Sequence, residues 1–256
     1  MKEFFDIKDY CVIITGANRG LGKEMALAFA DCGANVVITC RDLNSVAELV
    51  KVIEKKNVQV LPIKMDVRNE DEINQMVEDV MEKFGKIDVL VNNAAICQTV
   101  EVENMKTSDW NETIDVNLTG VFQVSKAVGR KMILRKKGSI INISSISGFI
   151  MNHPQKHTAY CVSKAGVIML TKGMAAEWAE YNIRVNSVAP GYTTGGMAKS
   201  SVEEGGEMAE RWRSLIPMHR FGKPGELSGI LIYLASEAST YTTGATFLID
   251  GGFTVW

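Results

Sequence analysis

The chain is poor in the residues that several kinds of chemistry require. It has three histidines, none spaced as a metal-ligand pair, so a catalytic zinc is not expected. Its five cysteines (11, 32, 40, 97, 161) are scattered without any Cys-x-x-Cys, which points to reduced thiols in a cytoplasmic protein rather than a disulfide framework. No apolar run approaches the length of a membrane span, and the residues from Met1 to Asp6 lack the apolar stretch of a signal peptide. Charge of one sign is missing too. With 28 basic and 30 acidic residues the net charge is −2, which gives no global attraction to nucleic acid or to anionic membranes. No repeat, low-complexity tract or linker divides the 256 residues, so residues 1–256 read as a single domain.

What is present is an alternation. Short, mostly apolar runs recur along the chain: Val12-Ile13-Ile14, Asn35 to Thr39, Val58 to Ile63, Ile87 to Val91, Ser139 to Ile143, Ile183 to Val188 and Ala245 to Ile249. Most are separated by segments of helical periodicity, as at Glu24 to Cys32, Asn69 to Phe84 and residues 115–135. Strands without an in-and-out pattern are covered on both faces, and strand–helix alternation makes them parallel. The fold class expected is α/β, a Rossmann-type doubly wound sheet of about seven parallel strands with helices on both faces.

One segment breaks this rhythm. Residues 193–221 carry Gly195-Gly196, Gly205-Gly206, many charges and the apolar Met197, Met208, Trp212, Leu215, Ile216 and Met218. The stretch is long for a βα connection and reads as a substrate lid, or else as an ordinary pair of surface helices.

Two motifs bear on chemistry. Gly16, Gly20 and Gly22, in Thr15-Gly16-Ala17-Asn18-Arg19-Gly20-Leu21-Gly22, follow an apolar strand and open an amphipathic helix. That context suits a phosphate-binding turn, because glycine lets the backbone approach a pyrophosphate and the helix start supplies unpaired N–H groups. Far downstream, Tyr160 and Lys164 stand four residues apart, hence on one helix face. A cation beside the phenol is expected to lower its pKa towards working range and make it an acid–base group.

With Asn92-Asn93-Ala94, Asn117, Ser145 and Pro190-Gly191 between and after them, these motifs resemble the ordered set of the short-chain dehydrogenase/reductase family, from about residue 8 to Gly252. The resemblance implies an oxidoreductase that interconverts a ketone and a secondary alcohol, with Asn117, Ser145, Tyr160 and Lys164 catalytic. Asn117 would complete a proton relay through water to Lys164. It also implies cofactor contacts from Gly16, Asn18, Arg19, Gly20, Leu21, Gly22, Arg41, Asp66, Val67, Asn93, Tyr160, Lys164, Pro190, Gly191 and Thr193. A homotetramer or dimer is expected on the same ground.

The cofactor expected is NADP(H). Cys40 stands at the end of the second strand, where NAD-preferring members carry an acid, and Arg41 and Arg19 offer two guanidiniums that suit a 2′-phosphate. Asp42, next door, points the other way.

Several features leave alternatives open. The family's usual serine-to-tyrosine spacing selects Ser147, whereas the strand-end pattern Asn142-Ile143-Ser144-Ser145 selects Ser145 and makes Phe149 to Gln155 carry an insertion. The family's nicotinamide-contacting threonine is Gly195 here, with Thr193 and Thr194 nearby. The insertion's Asn152 and Gln155 could bond several hydroxyls, which is similar to the NADP-dependent mannitol dehydrogenase and sorbose reductase subgroup and suggests a ketose or polyol. The Met- and Trp-bearing 193–221 segment would suit a hydroxysteroid or 3-oxoacyl thioester. A catalytically idle cofactor-sensing or scaffold protein is the distant third.

Overall fold

The computed structural model describes residues 2–195, 202 and 205–256. Seven strands form one parallel sheet: β1 (Cys11–Thr15), β2 (Asn35–Cys40), β3 (Val60–Lys64), β4 (Val89–Asn92), β5 (Gly138–Ile143), β6 (Ile183–Pro190) and β7 (Thr246–Ile249). Their order in space is β3-β2-β1-β4-β5-β6-β7. The order reverses between β1 and β4, so the C-terminal ends of these strands open a crevice there, the usual ligand position of such sheets.

Alternating side chains of each strand enter different cores, which is why the sequence shows apolar runs and not an alternating pattern. Val12, Ile14, Val36 and Ile38 join one buried cluster, with helices α1 (Gly20–Asp31), α2 (Ala47–Glu54) and α8 (Ser228–Ala235). Cys11, Ile13, Val37 and Leu90 join the other, on the face covered by α3 (Glu70–Phe84), α5 (Gly120–Arg135) and α6 (Thr158–Trp178). Each fully buried aliphatic side chain contributes about 1.5–3 kcal/mol of transfer free energy. A third, smaller cluster gathers Val202, Ala209, Trp212, Ile216 and Phe221 around helix α7 (Glu207–Leu215), with Tyr192 and Phe253 against it.

The strand-end polar residues do not break this core, because each is satisfied. Asn92 Nδ2 donates to Asn142 Oδ1 at 2.8 Å and to Ser125 Oγ at 2.9 Å, and Asn142 Nδ2 donates to Thr171 Oγ1 at 2.9 Å. Leaving any one of these groups without a partner would cost about 1–3 kcal/mol, so this ladder fixes β4 and β5 against α5 and α6 at the end that carries the site.

Helix α4 (Thr107–Ile114), which the periodicity alone does not single out, runs through a single π turn, Asp115–Thr119, into α5. Asn69 caps α3, accepting from the N–H groups of Asp71 and Glu72, and Gly85 ends it in the left-handed region at φ 68°. Among the described residues no helix is long and apolar enough to cross a membrane.

Candidate active site

The glycine turn lies at the C-terminal end of β1. Gly16 and Gly20 have φ of 65° and 57°, where a side chain is strained. A Cβ on Gly16 would meet Ala94 Cα at 2.8 Å, one on Gly20 the Gly195 carbonyl at 2.6 Å, and one on Gly22 the Gly16 carbonyl at 2.5 Å. Only glycine fits at all three. Asn18 is half-buried in the turn, Leu21 packs on the core, and Arg19 precedes α1 in extended conformation without a side-chain cap. The first N–H groups of α1 are thus left to a ligand, as a phosphate site needs.

Asn93, expected along the cofactor, is spent on the turn itself. Its Nδ2 donates to the carbonyls of Thr15 at 2.9 Å and Gly16 at 3.0 Å. Its backbone N–H and that of Ala94 donate to Thr15 Oγ1, both at 3.0 Å. Both amide protons are used to shape the cradle, so Asn93 would meet a cofactor through its oxygens.

At the end of β2, Cys40 is buried and Arg41 is exposed, as is Arg19. Asp42 turns back on its own segment, where it accepts from Asn44 N at 3.0 Å and caps the short turn Leu43–Val46. Asp66 accepts from Arg68 Nη2 at 2.6 Å and from Arg68 N at 3.0 Å. Arg68 first, and Arg41 more weakly, hold its carboxyl below the ordinary range. Because Arg68 makes the ion pair, the Arg41 guanidinium stays outside it. Val67 is buried under Gly120, where a Cβ would meet its side chain at 2.8 Å.

Tyr160, Lys164, Ser145 and Asn117 come together past the end of β5. Tyr160 and Lys164 lie on α6, both buried, with Lys164 Nζ 5.7 Å from the centre of the Tyr160 ring. Lys164 Nζ donates to the Ile143 carbonyl at 2.8 Å. Ser145 acts on the Tyr160 phenol and favours its ionised form, while its own hydroxyl donates to Ser147 Oγ at 3.1 Å. Ser147 is bonded to Ser145: its N–H donates to Ser145 Oγ at 3.1 Å. The serine at the strand end is thus the one that acts on the phenol.

The expected lowering of the Tyr160 pKa is not what this arrangement produces. Burial dominates and pushes the phenol well above its ordinary value, while burial lowers Lys164 to about 8. Burial is the cause in both cases, and the Lys164 ammonium is held at the Ile143 carbonyl. The free protein should therefore keep Tyr160 as a phenol through pH 10.0, the ordinary value. An ultraviolet phenolate titration of the free protein should then be unchanged by Tyr160→Phe over that whole range; a signal lost from the neutral region would contradict the burial argument.

Asn117 sits in the π turn, fully buried, where the extra backbone residue turns its side chain inward. Its Oδ1 accepts from Ile96 N and its Nδ2 donates to Ile96 O, both at 2.8 Å, and to Ser163 Oγ at 3.0 Å. Both amide protons are committed to protein, which fixes the Asn117 side chain in place.

At the end of β6, Pro190 pairs with Ile249, and a Cβ on Gly191 would meet Asp250 Cα at 2.8 Å. Thr193 is buried and its backbone bridges Gly222. Gly195 has a steric reason: a Cβ there would come within 2.2 Å of Pro224 Cγ, so the family's threonine does not fit. Within 193–221, residues 196–201, 203 and 204, Met197 among them, lie outside the described residues. Of the paired glycines, Gly205 and Gly206 have φ of 71° and 90°.

Asn152 and Gln155, expected to meet substrate hydroxyls, are instead bonded to protein. Asn152 Nδ2 donates to the Tyr192 hydroxyl at 3.1 Å and its Oδ1 accepts from Ser147 Oγ at 2.5 Å; Gln155 also bonds the Tyr192 hydroxyl, at 2.9 Å. Two residues not singled out in the sequence join the site. Tyr192 is one, following Pro190-Gly191. His157 is the other, one helical turn before Tyr160, with its ring 5.6 Å from the tyrosine ring, its pKa lowered by burial and its Nε2 without a partner among the described residues.

A buried tyrosine, serine and lysine beside a glycine turn at the switch of a parallel sheet define an oxidoreductase site, and the chain belongs to the short-chain dehydrogenase/reductase family. It matches the family model described as enoyl-(acyl carrier protein) reductase over residues 16–254. It is similar to a 3-oxoacyl-acyl-carrier-protein reductase of Thermotoga maritima, 44% identical over 243 residues, which cover 95% of this chain and 97% of that one. It is also similar to an NADP-dependent mannitol dehydrogenase of Alternaria alternata, 39% identical over 259 residues, covering 100% and 96%. Among solved structures it resembles a gluconate 5-dehydrogenase from Burkholderia cenocepacia in complex with NADP and tartrate, with TM-score 0.92, 34% identity and 99% and 98% coverage. The protein is an oxidoreductase acting on alcohols and ketones.

Proposed function

We propose that the protein is an NADP(H)-dependent enzyme that interconverts a small polar ketone of the ketose class and the corresponding polyol. NADP(H), when bound, supplies or accepts the hydride at the substrate carbon. Gly16, Gly20 and Gly22 with the start of α1 would hold its pyrophosphate, and Arg19 and Arg41 its 2′-phosphate. Asn18, Leu21, Asp66, Val67, Pro190, Gly191 and Thr193 would line the rest of its path. In reduction Tyr160 gives its phenolic proton to the carbonyl oxygen, and in oxidation it takes one back. Ser145 donates to the same oxygen and holds it in place. Lys164, charged below about pH 8, sets the electrostatics behind the ring.

The observation that carries the polar reading is His157. A buried nitrogen without a partner costs about 1–3 kcal/mol, and a substrate hydroxyl beside Tyr160 would relieve it. Trp212, the aromatic offered for an apolar pocket, is only 4% exposed and lies flat on Tyr192 with ring centres 4.5 Å apart. A second reading, reduction of a 3-oxoacyl thioester, is favoured by the 44% identical Thermotoga maritima relative.

The readings separate on kcat/KM with NADPH for fructose, sorbose and xylulose against an acetoacetyl thioester and a steroid ketone. The sugars should win; an advantage of more than about tenfold for either apolar substrate, roughly 1.4 kcal/mol, would overturn the polyol reading. We also propose a cytoplasmic location, supported by five free cysteines. A homo-oligomer, dimer or tetramer, is supported by Trp110, Phe122, Val162 and Met169, exposed on α4, α5 and α6. Its solution mass should then be a multiple of the 28.1 kDa chain.

A further inference from the structure

One chain of hydrogen bonds joins Ser145 to helix α7, and its direction follows from which groups can only give a proton. The Trp212 indole has a proton and no lone pair to offer, so the Gln155 amide must turn its oxygen towards it, at 3.0 Å. In that orientation the same oxygen accepts from the Tyr192 hydroxyl at 2.9 Å, and the amide nitrogen donates to the Asn152 carbonyl at 3.3 Å. The Tyr192 oxygen accepts from Asn152 Nδ2. Asn152 Oδ1 then takes the proton of Ser147, leaving Ser147 with only lone pairs for Ser145, whose hydroxyl donates to it at 3.1 Å. The Tyr192 ring is clamped meanwhile, stacked on Trp212 at 4.5 Å and met edge-on by Phe253 at 5.3 Å.

We propose that Asn152, Gln155 and Tyr192 are positioning residues that make the orientation of the Ser145 hydroxyl depend on the seating of α7 through Trp212. The proposal rests on the reading of Ser145 as the carbonyl-orienting group. With α7 seated, Ser147 is a pure acceptor, so Ser145 keeps its proton as a donor shared between Ser147 and an incoming carbonyl oxygen. If Tyr192 loses its hydroxyl, Asn152 loses the acceptor for its Nδ2. The amide is then free to rotate and present that nitrogen to Ser147, which must turn its own proton back towards Ser145. Ser145 then meets a donor where it had an acceptor.

A double-mutant cycle tests this, because a residue acting through Ser145 has nothing to act on once Ser145 is gone. The four proteins are the wild type, Tyr192→Phe, Ser145→Ala and the double variant, assayed with NADPH and the ketone of highest kcat/KM in the panel above. Tyr192→Phe keeps the stacked ring and should lower kcat about tenfold, with the KM for NADPH unchanged. In the Ser145→Ala background the same change should alter kcat by less than about twofold. An equal loss in both backgrounds, or no loss in the wild type, overturns the relay. Gln155→Met removes the amide at a half-buried site and should repeat the pattern if Tyr192→Phe does not fold. Should Ser145→Ala itself keep full kcat, the active-site reading fails, an outcome distinct from failure of the relay alone.

Discussion

Removing both Arg19 and Arg41 as alanines is expected to lower kcat/KM with NADPH by about a hundredfold and to leave the NADH value within about threefold. Both side chains are exposed at the cofactor end of the sheet, Asp42 is committed to its own turn, and the ion pair at Asp66 is made by Arg68. Each charge-assisted hydrogen bond to a phosphate contributes about 1.5–3 kcal/mol, and about 1.4 kcal/mol is a factor of ten, so two lost contacts give at least that hundredfold. A ribose hydroxyl offers the guanidiniums no comparable charge. Equal losses with the two cofactors would show that the arginines act on something common to both, and the NADP(H) preference would fall with them.

Tyr160→Phe is expected to lower kcat about a thousandfold while NADPH binding, followed by its fluorescence, stays within about threefold; general acid–base groups typically contribute about 10²–10⁴. The ring remains, so the packing against His157 and the 5.7 Å approach of the Lys164 ammonium are kept, and only the proton carrier is lost. Lys164→Ala is a less clean test, because the ammonium also holds the Ile143 carbonyl at the end of β5.

The strands and the glycine turn were legible because their signals are local. A strand buried on both faces is apolar almost throughout, as Cys11–Ile14 is before the polar Thr15, and a turn that admits no Cβ must be glycine at Gly16, Gly20 and Gly22. The end of β5 was legible for the same reason, and Ser145 caps the short turn Ile146–Gly148 that follows it.

What was not legible is where amides and charges are spent once the chain has folded. Asn152 reads as a free polar group until Tyr192, 40 residues on, is brought against it. Nothing local to Asn93 shows that Thr15 and Gly16, 78 and 77 residues earlier, take both its amide protons. The spacing of Tyr160 and Lys164 puts them on one face but says nothing of the Ile143 carbonyl that takes a proton of the ammonium, nor of the burial that raises the phenol pKa. Gly195 reads as a missing contact, and only the approach of Pro224 explains it.

The central claim is that hydride reaches a carbonyl carbon while Tyr160 supplies the proton. It is tested most directly with NADPH deuterated at both C4 positions and the best ketose of the panel, with the product analysed by mass and proton spectra. The wild type should place one deuterium on the carbinol carbon, and Tyr160→Phe should form almost none of that product over the same time. Wild-type oxidation of NADPH without deuterium at that carbon, or undiminished labelled product from Tyr160→Phe, would contradict the account.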